Sequence, residues 1–147
     1  MRALLDTSIL VAVFYEEHQH HEASFALLSR LASEEVFFAA HSLAEVYATL
    51  TAMPGRDRIS GSDAVMFLKS IRQRLTLVYL DGEEYLAAME AAADGGFASG
   101  GVYNVLIGQC ALKAQVDVLY TWNIKHFRRL PPPIANRAKT PLESDVP

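Results

Sequence analysis

A parallel β-sheet with helices on both faces is the fold this sequence predicts, and three observations predict it. Short, continuously apolar segments recur along the chain, as strands buried on both faces require. Between them lie longer stretches whose apolar residues repeat at helical spacing. The two kinds of segment alternate, as a parallel sheet needs for its crossovers. With 147 residues, half of them apolar and a fifth charged, the chain is sized for a single domain, residues 1–147, with a real core.

The elements follow in order. Residues 3–5 form a buried strand that stops at Asp6. Thr7 or Ser8 caps a helix running through Phe14. The polar stretch EEHQHHE (16–22) is a loop or a helix start, and 23–33 has helical periodicity. VFFAA (36–40) is a second strand, and 42–53 is a helix closed by Pro54 and Gly55. A turn-rich stretch, 55–63, leads to an amphipathic segment over 64–75 and a third strand over 76–80. Residues 81–93 form a helix opened by a capping box, Asp81 to Glu84. A glycine-rich loop (94–101) precedes a helix over 102–114, and 116–121 is a fourth strand. A short helix over 124–130 and a proline-rich tail complete the chain.

Composition narrows the function. Arg2 followed by apolar residues faintly resembles a leader peptide, but Asp6 interrupts the run and Glu16 and Glu17 follow without a cleavage-like site. No apolar segment reaches the roughly 18 residues of a membrane span. The single cysteine, Cys110, excludes an internal disulfide and suits a reducing, cytoplasmic setting. A net charge of -4 offers no general attraction to phosphate, so a nucleic-acid partner would need a local basic patch or a metal.

Sheets of this kind place their sites beyond the carboxyl ends of the strands, where the strand order reverses. Asp6 stands at the end of the first strand; Thr121, Trp122 and Asn123 stand at the end of the fourth. A carboxylate in an apolar run must be solvated, paired or bound to a cation, because burying it alone is costly. Asp6 has a second reading as a helix cap. Glu45 could converge on it, or could close a capping box with Ser42. Asn104 shares a helical face with Ile107, Gly108 and Ala111 and either looks inward or caps its helix. Two converging carboxylates suit Mg²⁺ or Mn²⁺.

Four stretches in this order, LLDTSIL (4–10), AEVYATL (44–50), GVYNVLIGQCALKA (101–114) and LYTWNIKHF (119–127), resemble the PIN-domain nucleases, in particular the VapC toxins of toxin–antitoxin pairs. The likeness covers nearly the whole chain. It implies an α/β/α sandwich of about five parallel strands and a metal-dependent endoribonuclease that hydrolyses RNA phosphodiesters. It also implies frequent homodimers and an antitoxin partner of VapB type. The family's acidic residues fall at Asp6 and Glu45, a further acid is expected where this chain has Asn104, and the closing polar motif falls at Thr121 and Asn123. By that resemblance Asp6, Asn104 and Glu45 hold the metal, Glu45 orients water, and Thr121 and Asn123 position water or phosphate. Asn104 departs from the pattern, keeping a carbonyl donor but losing a charge. That departure leaves open a catalytically silent PIN-like module that binds RNA or protein. Flavodoxin and response-regulator domains also carry an acid after the first strand, but this chain has no obvious phosphate- or flavin-binding loop.

The remaining candidates have plainer readings. His18, His20 and His21 lie in a charged stretch and read as solvated, with zinc binding the alternative. His126 is expected to support the fold beside Phe127. Lys125, Arg128, Arg129, Arg137 and Lys139 form the most basic stretch, either an RNA contact or a solvated face. Phe14, Tyr15, Phe37 and Phe38 belong to the core or to a dimer face, for which VAVFY (11–15) is the candidate. An antitoxin would present a basic side chain, an arginine above all, to Asp6 and Glu45.

Overall fold

In the computed structural model residues 1–143 are described; the last four residues of the expected domain, 144–147, lie outside them. The elements run β1 (Arg2–Leu5), α1 (Thr7–Phe14), α2 (His21–Arg30), β2 (Glu35–Ala39) and α3 (Ala40–Ala52), then a 3-10 turn at Gly55–Asp57. There follow α4 (Gly61–Arg74), β3 (Thr76–Val78), α5 (Gly82–Asp94), α6 (Gly101–Lys113), β4 (Val118–Tyr120), α7 (Ile124–Phe127), α8 (Pro132–Ala135) and β5 (Ala138–Lys139). The strands form one sheet in the order β3-β2-β1-β4-β5, every pair parallel. The order turns at β1, whose neighbours are β2 and β4. The Asp81–Glu84 capping box is present at the start of α5.

Side chains alternate across the sheet and divide the core in two. Ala3 and Leu5 of β1 and Val36 and Phe38 of β2 pack with α1, α2, α3 and α4. Leu4 of β1 and Phe37 and Ala39 of β2 pack with α5, α6, α7 and α8. Phe37 and Phe38 are therefore core residues on opposite faces. Phe14 and Tyr15 also pack inward: Phe14 meets Phe67 edge-on at 4.9 Å, and the Tyr15 hydroxyl donates to the Asp57 carbonyl. The VAVFY stretch is spent largely on the core, which removes the observation that singled it out as a dimer face. No helix among the described residues is long and apolar enough to cross a membrane.

The proline-rich tail is a fifth strand preceded by a helical turn, and it is not a loose end. Ile134 of α8 is buried and seats on Gly108 of α6. A Cβ at position 108 would lie 2.8 Å from Ile134 Cδ1 and 2.9 Å from its Cγ2, so the close approach of α8 to α6 depends on that glycine. Gly108→Ala should destabilise the protein by about 1–3 kcal/mol through overpacking, although alanine is favoured over glycine in a helix by up to about 1 kcal/mol. In an Ile134→Ala background the same change should be neutral or stabilising. Thermal denaturation of the four proteins checks this, and an equal loss in both backgrounds would refute the contact.

Candidate active site

The β1–β4 register sets the floor of the site. Leu5 pairs with Tyr120, and the Asp6 amide donates to the Tyr120 carbonyl at 3.0 Å, so Asp6 and Thr121 leave the sheet side by side. Asp6 is 2% exposed. Its Oδ2 accepts from Thr121 Oγ1 at 2.7 Å and from Ser8 Oγ at 2.9 Å. Each hydroxyl accepts in turn a backbone N–H of the turn after β4: Asn123 N–H to Thr121 at 2.9 Å, Trp122 N–H to Ser8 at 3.0 Å. Both hydroxyls are thus held as donors to one carboxylate oxygen. Asp6, not Thr7 or Ser8, occupies the N-cap position of α1; its side chain makes no capping bond of good geometry, and the Thr7 and Ser8 backbone N–H groups beside it help to hold its charge, though less than the Thr121 and Ser8 hydroxyls do. Burial pushes the Asp6 carboxyl above the usual range, and the bonds from Thr121 and Ser8 oppose that shift.

The Ser42–Glu45 capping box is not formed. α3 leaves β2 directly, with Ala39 at the N-cap and no side-chain cap, so Ser42 is already the third helical residue. The hydroxyl of Thr7 reaches both residues, at 2.9 Å from Ser42 Oγ and 3.2 Å from Glu45 Oε1. Burial raises the Glu45 carboxyl above its ordinary range, the nearby charge of Asp6 raises it further, and the bond from Thr7 lowers it. Glu45 and Asp6 therefore share one electrostatic environment.

His41, one turn before Glu45, was not singled out by the sequence. Its Nε2 is buried, lies 3.6 Å from Glu45 Oε1 and has no hydrogen-bond partner among the described residues. Burial holds its ring below the ordinary histidine range, so at neutral pH this is a contact of a neutral ring with a carboxylate and not an ion pair. The ring stacks on Tyr103 of α6 at 4.6 Å and 23°. That contact joins α3 and α6, which cover opposite faces of the sheet and meet beyond its carboxyl edge.

Asn104 follows Tyr103. Because α6 begins at Gly101, Asn104 is the fourth helical residue and cannot be the cap. Asp6, Glu45, Asn104 and Asn123 line one open cleft of about 420 Å³, with Thr7, Ser8, His18, Gln19, His20 and Trp122 among its walls. Thr121 does not line it: the side chain is fully buried and reaches the cleft only through Asp6. Among the described residues no lysine or arginine lines the cleft. Two desolvated carboxylates on a cleft without a cationic wall, flanked by amide and hydroxyl oxygens, are a hard-oxygen donor set that fits Mg²⁺ or Mn²⁺. Among the described residues no three His, Cys, Asp or Glu side chains converge as a metal-ligand group, so an ion here would rest on the two carboxylates and the neighbouring amide and hydroxyl oxygens.

The histidine stretch is not simply solvated. His18 and His20 line the cleft, and His21 sets its Nδ1 2.8 Å from the Ala12 carbonyl. Burial first, then the neighbouring His20 and His21, hold His18 below the ordinary histidine range. His126 is exposed, so it does not buttress Phe127; with Arg129 it flanks Asn104 around a separate shallow hollow. The basic stretch divides: Arg128 pairs with Glu143 at 2.9 Å, and the Arg137 guanidinium donates to the carbonyls of Val116 and Pro133.

A five-stranded parallel sheet, a buried acid at its carboxyl edge, a half-buried acid one turn into α3 and a third polar side chain from a helix of the opposite face define an acid-centred α/β/α domain. The chain belongs to the PIN domain family, whose model matches residues 3–131. It is 32% identical over 114 residues to Ribonuclease VapC40 of Mycobacterium tuberculosis, covering 78% of this chain and 81% of that one. The fold is also that of the toxin–antitoxin complex VapBC2 of Rickettsia felis, solved on a DNA fragment from its promoter (TM-score 0.68, 20% identity, 95% of this chain and 98% of that one). It resembles as well the sarcin–ricin-loop-cleaving toxin VapC20 of Mycobacterium tuberculosis (TM-score 0.64, 15% identity, 80% and 86%).

The raised carboxyls have a thermodynamic sign. A carboxyl whose folded pKa is raised favours the fold below its ordinary pKa, and that contribution is lost as pH rises through the folded value. Asp6→Asn keeps a carbonyl acceptor for Thr121 and Ser8 and removes the charge. Without divalent ions it should melt higher than the wild type at pH 7, by several degrees for each kcal/mol or so released, and the gap should close towards pH 4. Differential scanning calorimetry across pH checks this; a variant that melts lower at pH 7 would show that the charge itself holds the site together.

Proposed function

We propose that this chain is a divalent-cation-dependent endoribonuclease, the toxin of a VapBC-type pair, acting in the cytoplasm on RNA phosphodiesters. The observation that carries the reading is the pairing of Asp6 and Glu45 on one cleft that, among the described residues, no lysine or arginine lines. Its relatives support it: one is named a ribonuclease, another a toxin that cleaves the sarcin–ricin loop, and a third was solved with its antitoxin.

Asp6, Glu45 and Asn104 would hold the ion, Mg²⁺ or Mn²⁺. When bound, it would polarise the scissile phosphate and acidify water. The protein's own groups supply orientation. Thr121 and Ser8 fix the Asp6 carboxylate from beneath, so Thr121 is a positioning residue and not one that touches phosphate. Thr7 steadies Glu45, whose raised pKa suits a group that accepts a proton from attacking water. Asn123, exposed at the mouth, can donate its amide to a phosphate oxygen.

The antitoxin would set an arginine against Asp6 and Glu45, its guanidinium standing in for the cation. By the family resemblance alone the active assembly would be a homodimer; light scattering at micromolar concentration should give twice the chain mass, and a monomer there would refute it. Asn104 favours a second reading, a silent PIN-like module that holds RNA or protein without cutting, because a lost unit charge about 4 Å from the ion forfeits several kcal/mol of attraction near a protein surface.

One matched experiment separates the readings. Asn104→Asp should bind Mn²⁺ at least tenfold more tightly than the wild type, about 1.4 kcal/mol or more, and should cleave RNA faster. Asp6→Asn in that background should abolish both gains. Equal metal affinity and equal cleavage in the wild type and the Asn104→Asp variant would show that position 104 is not a ligand. No cleavage by either protein would favour the silent module.

A further inference from the structure

The nuclease reading leaves the histidine stretch before α2 without a role, and the structure places it on the acidic cleft. His20 lies flat on Trp122, ring centroids 3.7 Å apart and planes 8° from parallel. Trp122 cannot turn: its backbone N–H is held by Ser8 Oγ at 3.0 Å, and its indole N–H donates at 2.8 Å to Ser24 Oγ, itself fully buried. His18 holds the other end of the stretch by accepting the His20 backbone N–H at Nδ1, 3.0 Å away. Between them the Gln19 side chain is exposed, and all four residues line the cleft with Asp6, Glu45 and Asn104.

This wall suits one kind of ligand. With no lysine or arginine among the described residues lining the cleft and two carboxylates at its floor, a bare phosphate finds no cationic side chain there. The wall offers a rigid, partly exposed stack of flat rings and an adjacent exposed amide with both a donor and an acceptor. Flat rings with hydrogen-bonding edges are what nucleobases present, and single-stranded RNA is recognised by stacking and by edge hydrogen bonds. Because Trp122 directly follows Thr121, which holds Asp6, and Ser8 bonds both Asp6 and Trp122, the platform and the acidic centre are one rigid unit.

We infer that the His20–Trp122 stack and Gln19 form a nucleobase subsite beside the acidic centre, seating the base of a nucleotide next to the scissile phosphate. The inference rests on the RNA-cleaving reading above and adds where the base is held.

Trp122 is the only tryptophan in the chain, so its fluorescence reports directly on the platform. The full chain is titrated in Mg²⁺ with a short single-stranded RNA and with an oligonucleotide of equal length carrying abasic ribose throughout. The RNA should quench Trp122 saturably, and the abasic strand should bind at least about tenfold more weakly. His20→Ala should lose about tenfold in RNA affinity and His20→Phe should retain it. Gln19→Ala, a change at an exposed side chain, should alter the ranking of the four homopolymers. All three variants should keep the wild-type affinity for Mn²⁺. Equal binding of RNA and abasic strand, or RNA binding and homopolymer ranking indifferent to both His20→Ala and Gln19→Ala, would overturn the subsite and leave the nuclease reading standing. A wild type that binds no RNA would overturn both.

Discussion

A carboxylate sealed under the end of a parallel sheet is the constraint on which this structure turns. An unpartnered buried charge costs several kcal/mol, and among the described residues Asp6 meets no lysine or arginine in its cleft. Its surroundings offset the cost with neutral dipoles. Two hydroxyls, one from α1 and one from the exit of β4, donate to the same oxygen, and each is fixed as a donor by a backbone N–H behind it. That arrangement exists only because β1 and β4 are adjacent and in a register that releases Asp6 and Thr121 together. The strand order is therefore part of the chemistry. With β4 anywhere else in the sheet, Asp6 would lose Thr121 and the turn that orients Ser8.

The second acid is supplied from one face of the sheet and the third polar group from the other. α3 packs on the face of Leu5 and Phe38, α6 on the face of Leu4 and Phe37, and neither could reach the other through the sheet. They meet past its edge, where His41 stacks on Tyr103. The two cores are thus the levers that set the spacing of Glu45 and Asn104. A change in how α6 seats, as at Gly108 against Ile134, moves a cleft residue without touching the cleft. The same geometry explains why both carboxyls sit above their ordinary range: the fold dries both, and the charge of Asp6 raises Glu45 further, with no lysine or arginine of the described residues on the cleft in return. If the proposed ion binds here, it would stabilise the fold by mass action.

Much of this was legible in the sequence, and the failures have physical causes. Asp6 stood out because a charge directly after the buried Ala3-Leu4-Leu5 of β1 has few explanations. Its partnership with Thr121 followed from the rule that parallel sheets place sites at their carboxyl edge. The start of α3 was misread because Ser-x-x-Glu is a capping signal only if the serine precedes the helix, and here the chain enters the helix straight from the strand, two residues earlier. The spacing then served a different purpose: Ser42 and Glu45 are both reached by Thr7, a contact 38 residues apart for Glu45 that no local pattern encodes. β5 is two residues of alanine and lysine behind prolines, too short to carry a hydrophobic pattern. His41 had a usable signal, one helical turn from Glu45 on the same face. The histidine stretch misled because its polarity is real but is turned towards the cleft.

Asn104 gathers these threads. An acid at this position would be a third negative charge in a cleft that no described lysine or arginine lines, and two unit charges about 4 Å apart repel by several kcal/mol near a protein surface. The amide relieves that repulsion in the empty protein and gives up the corresponding attraction for an ion. Every other component is intact: the hydroxyls that hold Asp6, the Thr7 bridge to Glu45, and the stack that sets α6 against α3. These interactions support the proposed charge-holding site, because a merely structural cleft would be more stable with Asp6 neutral. On the proposed reading, the side chain at position 104 would tune how strongly the site needs an ion, while the architecture that creates the need arises from β1, β4 and the hydroxyls between them.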